Sequence, residues 1–285
     1  MNILEVRDLT KQYKNFCLSG IGFELPAGYI MGYVGRNGAG KTTTLNAITH
    51  LIRPDGGEAE VCGVRFRDDP VRYREMIGYI GDESFFPPSF TVKEVRSILK
   101  HFYPSFDGAA YDRYVQEWKL PEKEKIKNYS RGMKVKLMFA SVLARETKLL
   151  ILDEATNGLD PVMRRQILKI LQDYISDGDR SVLFSTHIME DLQDIADYVF
   201  FIEGGKKIFC ETRDELLESY LIVKGSLGEL TADQERAMIG LEKNAYGFSA
   251  LLRSDDAAGM PAGFVTEVPT IDDIVVRMLT DGEGR

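Results

Sequence analysis

The stretch Gly35-Arg36-Asn37-Gly38-Ala39-Gly40-Lys41-Thr42 constrains this chain more than any other. It matches G-x-x-x-x-G-K-[ST] and lies between an apolar run, Tyr29–Val34, and a helical pattern over Lys41–Leu51. In that setting the spacing dictates a strand, a tight loop and a helix N-terminus in direct succession. The glycines let the backbone curl until consecutive N–H groups point at one anion, and the helix N-terminus adds its partial positive charge. Lys41 is then placed to reach the β- and γ-phosphates of a nucleotide, and the Thr42 hydroxyl to bind Mg2+, with Thr43 next in the same stretch. An unrelated glycine-rich turn is the competing reading, and the flanking strand and helix argue against it.

A second stretch, Leu149-Leu150-Ile151-Leu152-Asp153-Glu154, is four aliphatic residues ending in two carboxylates. A buried strand with Asp153 at its carboxyl end would set that carboxylate beside the Mg2+ held by Thr42, because ligands of open α/β sheets gather at the carboxyl ends of strands. Glu154 is placed to orient or deprotonate an attacking water. Read alone, a core strand entering an acidic turn accounts for the stretch equally well. Together with the phosphate loop it favours ATP hydrolysis, with Lys41 and Glu154 as catalytic residues.

Short apolar runs alternate with helical patterns along most of the chain: Ile77–Ile80, Leu149–Asp153, Arg180–Ser185 and Tyr198–Glu203 as strands, Pro161–Ile175 and Leu192–Ala196 as helices. That alternation indicates an α/β domain with a largely parallel sheet. Ile3–Leu9 and Ile21–Leu25 read as antiparallel strands, since too few residues separate them from their neighbours for a crossover helix. Between Phe85 and Arg145 the pattern turns helical, at Val92–Phe102, Ala110–Trp118 and Arg131–Arg145, as in an insertion. From about residue 220 onward the pattern is mixed and weakly apolar, as expected of a small α+β appendage. The 285 residues are 44% hydrophobic and 28% charged, enough apolar content to bury a core and too much for a disordered chain.

No run approaches the roughly 18 apolar residues that a spanning helix needs. The first residues lack the pattern of a signal peptide, so the chain is expected to stay in the cytosol. Cys17, Cys62 and Cys210, odd in number and far apart, argue against a disulfide framework or a zinc site. Asp and Glu number 44 against 36 Lys and Arg, a net charge of −8 that disfavours nucleic acid as the main partner.

Four further motifs stand in order around the phosphate loop and the Asp153 strand. They are Tyr13 within Leu9-Thr10-Lys11-Gln12-Tyr13, then Asn128-Tyr129-Ser130-Arg131-Gly132-Met133 ahead of a helix, then Asn157-Gly158-Leu159-Asp160, and last Ser185-Thr186-His187 at a strand end. With these the chain resembles, over about residues 1–215, the nucleotide-binding domain of ABC transporters. The resemblance implies a P-loop NTPase of the ABC ATPase type over residues 1–219, with an N-terminal antiparallel β subdomain and a helical insertion at about 85–145. Residues 220–285 form a C-terminal accessory region in that division, with a regulatory, dimerising or ligand-sensing role.

It further implies two such domains, as homodimer or heterodimer, with ATP at their interface. Each nucleotide is held by the phosphate loop of one copy and by the signature Ser130, Arg131, Gly132 and Met133 of the other. Tyr13 stacks on adenine, Asp160 belongs to the D-loop, and His187 contacts the γ-phosphate and joins Lys41 and Glu154 in catalysis. The physics suits the signature role, since Ser130 offers a hydroxyl and the following amides open a helix.

Three positions depart from the family's pattern, one of them Met133, where glutamine is common. Arg131 stands where glycine is usual, and its backbone cannot adopt glycine's conformations as cheaply. Asp82, in Ile77-Gly78-Tyr79-Ile80-Gly81-Asp82-Glu83, stands where a glutamine touches metal and water. There it could bind the metal directly, bind through water, or merely cap a turn. The Arg-Gly-Met-Lys form of the signature resembles that of ABC-2-type exporter ATPases for peptides, antibiotics or drugs. Phe85, Phe86 and Phe90, among two prolines, suit a groove for a permease helix, with core packing as the competing reading for at least one of them. The expected function is thus an ATP-hydrolysing subunit for a separately encoded membrane permease, at the cytoplasmic face of the membrane, with no direct contact to the cargo. A non-transport or regulatory ATPase, or a nucleotide sensor with slow hydrolysis, is the alternative.

Overall fold

The apolar runs Ile30–Val34, Leu149–Asp153 and Ser181–Ser185 are buried along their whole length, as strands covered on both faces must be. The computed structural model describes residues 1–261 and 263–283. In chain order the elements are β1 (Asn2–Gln12), β2 (Cys17–Pro26), β3 (Ile30–Val34), α1 (Lys41–Ile48), β4 (Gly56–Val61), β5 (Val64–Arg65), α2 (Pro70–Glu75) and β6 (Ile77–Ile80). The helical insertion follows as α3 (Val92–Phe102), α4 (Gly108–Glu117) and α5 (Arg131–Leu143). Next come β7 (Leu149–Asp153), α6 (Pro161–Ile175), β8 (Ser181–Ser185), α7 (Met189–Ile195), β9 (Tyr198–Glu203) and β10 (Lys206–Thr212). The rest is α8 (Arg213–Glu218), β11 (Tyr220–Gly225), α9 (Ala232–Ala237), β12 (Ile239–Asn244), β13 (Gly247–Arg253), β14 (Val265–Glu267) and α10 (Ile271–Glu283).

The chain falls into two compact units, one of Met1–His187 with Phe200–Cys210, the other of Ile188–Val199 with the chain from Glu211 onward. This differs from the 1–219 and 220–285 division read from the sequence. Helices α7 and α8 pack against α10, which draws both into the second unit. Within the span 220–285, residues 262, 284 and 285 lie outside the described residues.

In the first unit the main sheet runs β10-β9-β3-β8-β7-β6. Strands β3, β8, β7 and β6 pair in parallel, with Ile30 opposite Val182, Leu149 opposite Ser181 and Ile77 opposite Leu149. Parallel pairing sets the carboxyl ends of β3, β7 and β8 along one edge, where the loops after them meet. A second sheet, β2-β1-β4-β5, is antiparallel throughout, as the short connections require. Phe23, Tyr33 and Phe200 fill the core, with the rings of Tyr33 and Phe200 stacked at 4.6 Å.

The insertion is built from well-capped helices. Thr91 and Glu94 form a reciprocal capping box at the start of α3, and Asp107 accepts from two amides at the start of α4. Just after α5, the Arg145 guanidinium donates to the carbonyls of Arg74, Glu75 and Ile77 at 3.2–3.3 Å and lies 3.6 Å from the ring centre of Tyr103. One side chain thereby joins the insertion to the end of α2 and the start of β6.

The second unit is an antiparallel sheet, β12-β13-β11-β14, with α10 against β12 and β13. Val223, Met238, Phe248, Ala250 and Leu252 form its core. Arg277 of α10 donates to the carbonyls of Gly240 and Ser249. Replacing Arg145 by Lys keeps the charge but loses the planar fork, so Arg145→Lys is expected to cost about 1–3 kcal/mol through the carbonyls left unsatisfied. Urea unfolding of the full chain measures this, and an unchanged midpoint would remove Arg145 from the account of how the insertion is held.

Candidate active site

The loop after β3 is shaped by close approach. A Cβ on Gly35 would lie 2.3 Å from the carbonyl oxygen of Ile202 in β9, so only glycine fits there. Gly38 and Gly40 have φ of 82° and 114°, conformations that other residues adopt only under strain, and Gly40 is the N-cap of α1. Ala39 N–H donates to the Arg36 carbonyl at 3.0 Å, and Gly205 N–H donates to the Ala39 carbonyl at 2.9 Å. Beneath the loop, the Thr44 hydroxyl donates to the Gly40 carbonyl at 2.9 Å and accepts from Tyr33 at 3.0 Å. Lys41 is only 5% exposed, and its ammonium donates to the Gly35 carbonyl at 2.7 Å and to the Arg36 carbonyl at 3.3 Å.

Asp153 and Glu154, consecutive in the chain, meet different surroundings. Asp153 closes β7 and is buried; its Oδ2 lies 3.4 Å from the Tyr79 hydroxyl, while Oδ1 has no hydrogen-bond partner of normal geometry. Burial pushes its carboxyl above the usual carboxylate range, although the nearby Thr42, Ser185 and Tyr79 hydroxyls pull the other way. A hard cation fits this site: a carboxylate oxygen without a partner beside a threonine hydroxyl is the oxygen donor set that Mg2+ takes. Glu154 has φ of 53°, in the left-handed region, and this turn aims its carboxylate away from the strand. One oxygen lies 3.5 Å from the Lys41 ammonium; the other accepts from Asn157 at 2.6 Å and lies 3.4 Å from His187 Nδ1.

A cleft of about 670 Å³ joins these groups, lined by Asn15, Phe16, Arg36, Asn37, Gly38, Gly40, Lys41, Thr42, Thr43, Asp82, Asp153 and Glu154. Tyr13 is outside this lining, exposed, with its ring centre 6.4 Å from that of Phe16. The sequence assigns no role to Phe16, Tyr79 or Asn157, although Asn157 opens the Asn157–Asp160 motif. The first lies three residues beyond the aromatic position, the second contacts the metal carboxylate across 74 residues of chain, and the third had only its place beside Gly158 to mark it.

Ser130 caps α5, its Oγ accepting from Met133 N–H at 3.3 Å, and Asp160 caps α6, accepting from Val162 and Met163 N–H at 3.0 Å. A Cβ on Gly132 would meet Met163 at 2.9 Å. The Arg131 guanidinium is paired with the Asp82 carboxylate, so Asp82, which was expected to take the metal, has a partner of its own. The three aromatics after it do not share one fate. Phe85 is exposed and lines an apolar groove of about 260 Å³ with Leu51, Leu99, Tyr103 and Arg145. Phe90 is half-buried, whereas Phe86 is buried against Phe85, so an exposed surface of all three does not exist.

An anion cradle at a strand-to-helix turn, with a buried carboxylate and a second acid at the end of a nearby strand of the same sheet, is the construction of a P-loop nucleotide hydrolase. The comparisons with known proteins carry this further. Residues 18–157 match the family model described as ABC transporter. The chain is 30% identical over 223 residues to the ABC transporter ATP-binding protein YtrB of Bacillus subtilis (strain 168), covering 78% of this chain and 76% of that protein. It is 31% identical over 207 residues to the bacitracin transport ATP-binding protein BcrA of Bacillus licheniformis, covering 72% and 68%. A solved ATP-binding subunit of an ABC transporter superposes with a TM-score of 0.69 at 28% identity, over 75% of this chain and 91% of that one. The chain belongs to the ATP-binding proteins of ABC transporters. It is an ATPase subunit that energises a membrane permease, and among its described residues no helix is long and apolar enough to cross a membrane.

The raised pKa of Asp153 makes a stability prediction. The folded chain holds this proton more tightly than the unfolded chain, so keeping Asp153 ionised costs stability above its folded pKa. The cost fades as pH falls toward the unfolded value of about 3.9. Asp153→Asn is therefore expected to raise the melting temperature at neutral pH, by about 2–4 °C for each kcal/mol released. The gain should shrink on acidification, and a gain independent of pH would assign it to another cause.

Proposed function

We propose that the chain acts as one of two facing ATPase units, identical or heteromeric, with ATP and Mg2+ between the phosphate loop of one and the signature helix of the other. The observation that carries this reading is the single cleft where Lys41, Asp153 and Glu154 meet, with Glu154 held between Lys41, Asn157 and His187. The Gly35–Thr43 loop and Lys41 bind the phosphates, Tyr13 beside Phe16 stacks on adenine, and Thr42 with Asp153 holds the metal. Mg2+, when bound, neutralises charge on the β- and γ-phosphates. Glu154 accepts a proton from the attacking water as the new P–O bond forms and ADP leaves, and His187 holds that water against the γ-phosphate.

The facing copy supplies the Ser130 hydroxyl, which can donate its proton while Oγ accepts from Met133 N–H, together with the first amides of α5. Asp160, capping α6, belongs to the same interface. The apolar groove beside Phe85 receives a helix of the permease, and the chain then works at the cytoplasmic side of the membrane. Likeness to a bacitracin transport protein favours export of a peptide, antibiotic, drug or similar compound, with the cargo handled by the permease.

Glu154→Gln removes the base and keeps the shape. It should accumulate as an ATP-bound dimer on size-exclusion chromatography, and a monomer with unaltered turnover would sink the paired mechanism. Phe85→Ser should uncouple transport while the isolated chain keeps its basal ATPase rate. Equal loss of both would return Phe85 to a packing role.

A further inference from the structure

Two of the positions that depart from the family's pattern are bonded to each other. Arg131 opens α5, Asp82 follows β6, and the guanidinium of the first pairs with the carboxylate of the second across 49 residues of chain. The Arg131 side chain reaches Asp82 by crossing Gly158. A Cβ on Gly158 would lie 3.3 Å from Arg131 Nε and 3.4 Å from its Cδ, and that Nε is buried without a hydrogen-bond partner. Gly158 also has φ of 65°, so the position favours glycine twice over. Arg131 is thus bonded to a residue on the wall of its own chain's cleft, since Asp82 lines it together with Asp153 and Glu154.

We infer that Arg131 is a positioning residue for the nucleotide site of its own chain, where it neutralises Asp82 so that a polyphosphate does not meet an unpaired carboxylate there. The charges in the cleft make this necessary. ATP brings several negative charges to a site with Asp82, Asp153 and Glu154 on its wall; Mg2+ answers Asp153, and Lys41 already lies 3.5 Å from Glu154. Arg36 lines the same cleft, and the arginine at the head of α5 is the cation seen bonded to Asp82. As a contribution to folding such a half-exposed pair counts for little. As a control on the potential at the phosphates it counts for more, because the unpaired carboxylate would act directly on the bound polyanion.

This role rests on the phosphate loop as the nucleotide site, and it does not need the paired arrangement of two copies. The test is MgATP and MgADP affinity of the isolated full-length chain, measured below the concentration at which copies associate. Arg131→Ala should weaken both nucleotides by about three- to tenfold at low salt, and less as salt screens the exposed carboxylate. Arg131→Lys should retain most of the affinity, and Asp82→Asn added to Arg131→Ala should restore it. A purely structural loss would not be rescued by removing a second charge. Unchanged affinity in Arg131→Ala, a loss that Asp82→Asn does not relieve, or a loss confined to the Glu154→Gln dimer would each overturn the assignment. The last would make Arg131 a ligand of the facing copy's nucleotide instead, while failure of Glu154→Gln to dimerise bears on the paired mechanism alone.

Discussion

The contact that the site depends on is backbone against backbone, where β9 passes the end of β3 so closely that Gly35 has no room for a side chain. That proximity turns the chain sharply out of the sheet, and two further glycines in left-handed conformations complete the curl. Helix α1 then begins with its amides facing back over the strand ends. The parallel order β3-β8-β7 does the rest, because it brings the carboxyl end of β7, and therefore Asp153, to the same edge as the loop. Binding and hydrolysis share a cleft because one sheet topology serves both.

Much of this was legible because it is local. The phosphate loop, the β7 carboxylates and the capped helix at Asp160-Pro161 are each written in a few adjacent residues, and β6, α3 and α6 lie where the apolar periodicity sets them. What escaped is non-local. Strand β4 reads Gly-Gly-Glu-Ala-Glu-Val, too poor in apolar residues to announce itself, and it is a strand because β1 supplies its partners, with Leu4 opposite Val61. Phe85 and Phe86 are chemically identical neighbours, and only the packing of the insertion decides that one faces solvent and the other is buried.

The pair of Asp82 with Arg131 shows the same limit from the side of function. Each residue taken singly is a departure that weakens the resemblance, a carboxylate in place of an amide and a bulky cation in place of glycine. Opposite charges at two altered positions become informative only when the fold brings them together, and then each accounts for the other. The alteration is compensated within one chain, beside the cleft that Lys41, Thr42, Asp153 and Glu154 line together.

Glu154 shows what that arrangement costs. A glutamate with φ of 53° sits in a region that costs about 1–2 kcal/mol for a residue with a Cβ. An extended conformation there would avoid this, but it would continue the strand's alternation and carry the carboxylate away from Lys41. The turn is held by Glu154 N–H donating to the Ser185 carbonyl at 3.0 Å and by Asn157 N–H donating to the Glu154 carbonyl at 3.1 Å. The two adjacent acids both reach this cleft because the backbone turns between them. The strained residue is where β7 ends and the reaction geometry begins.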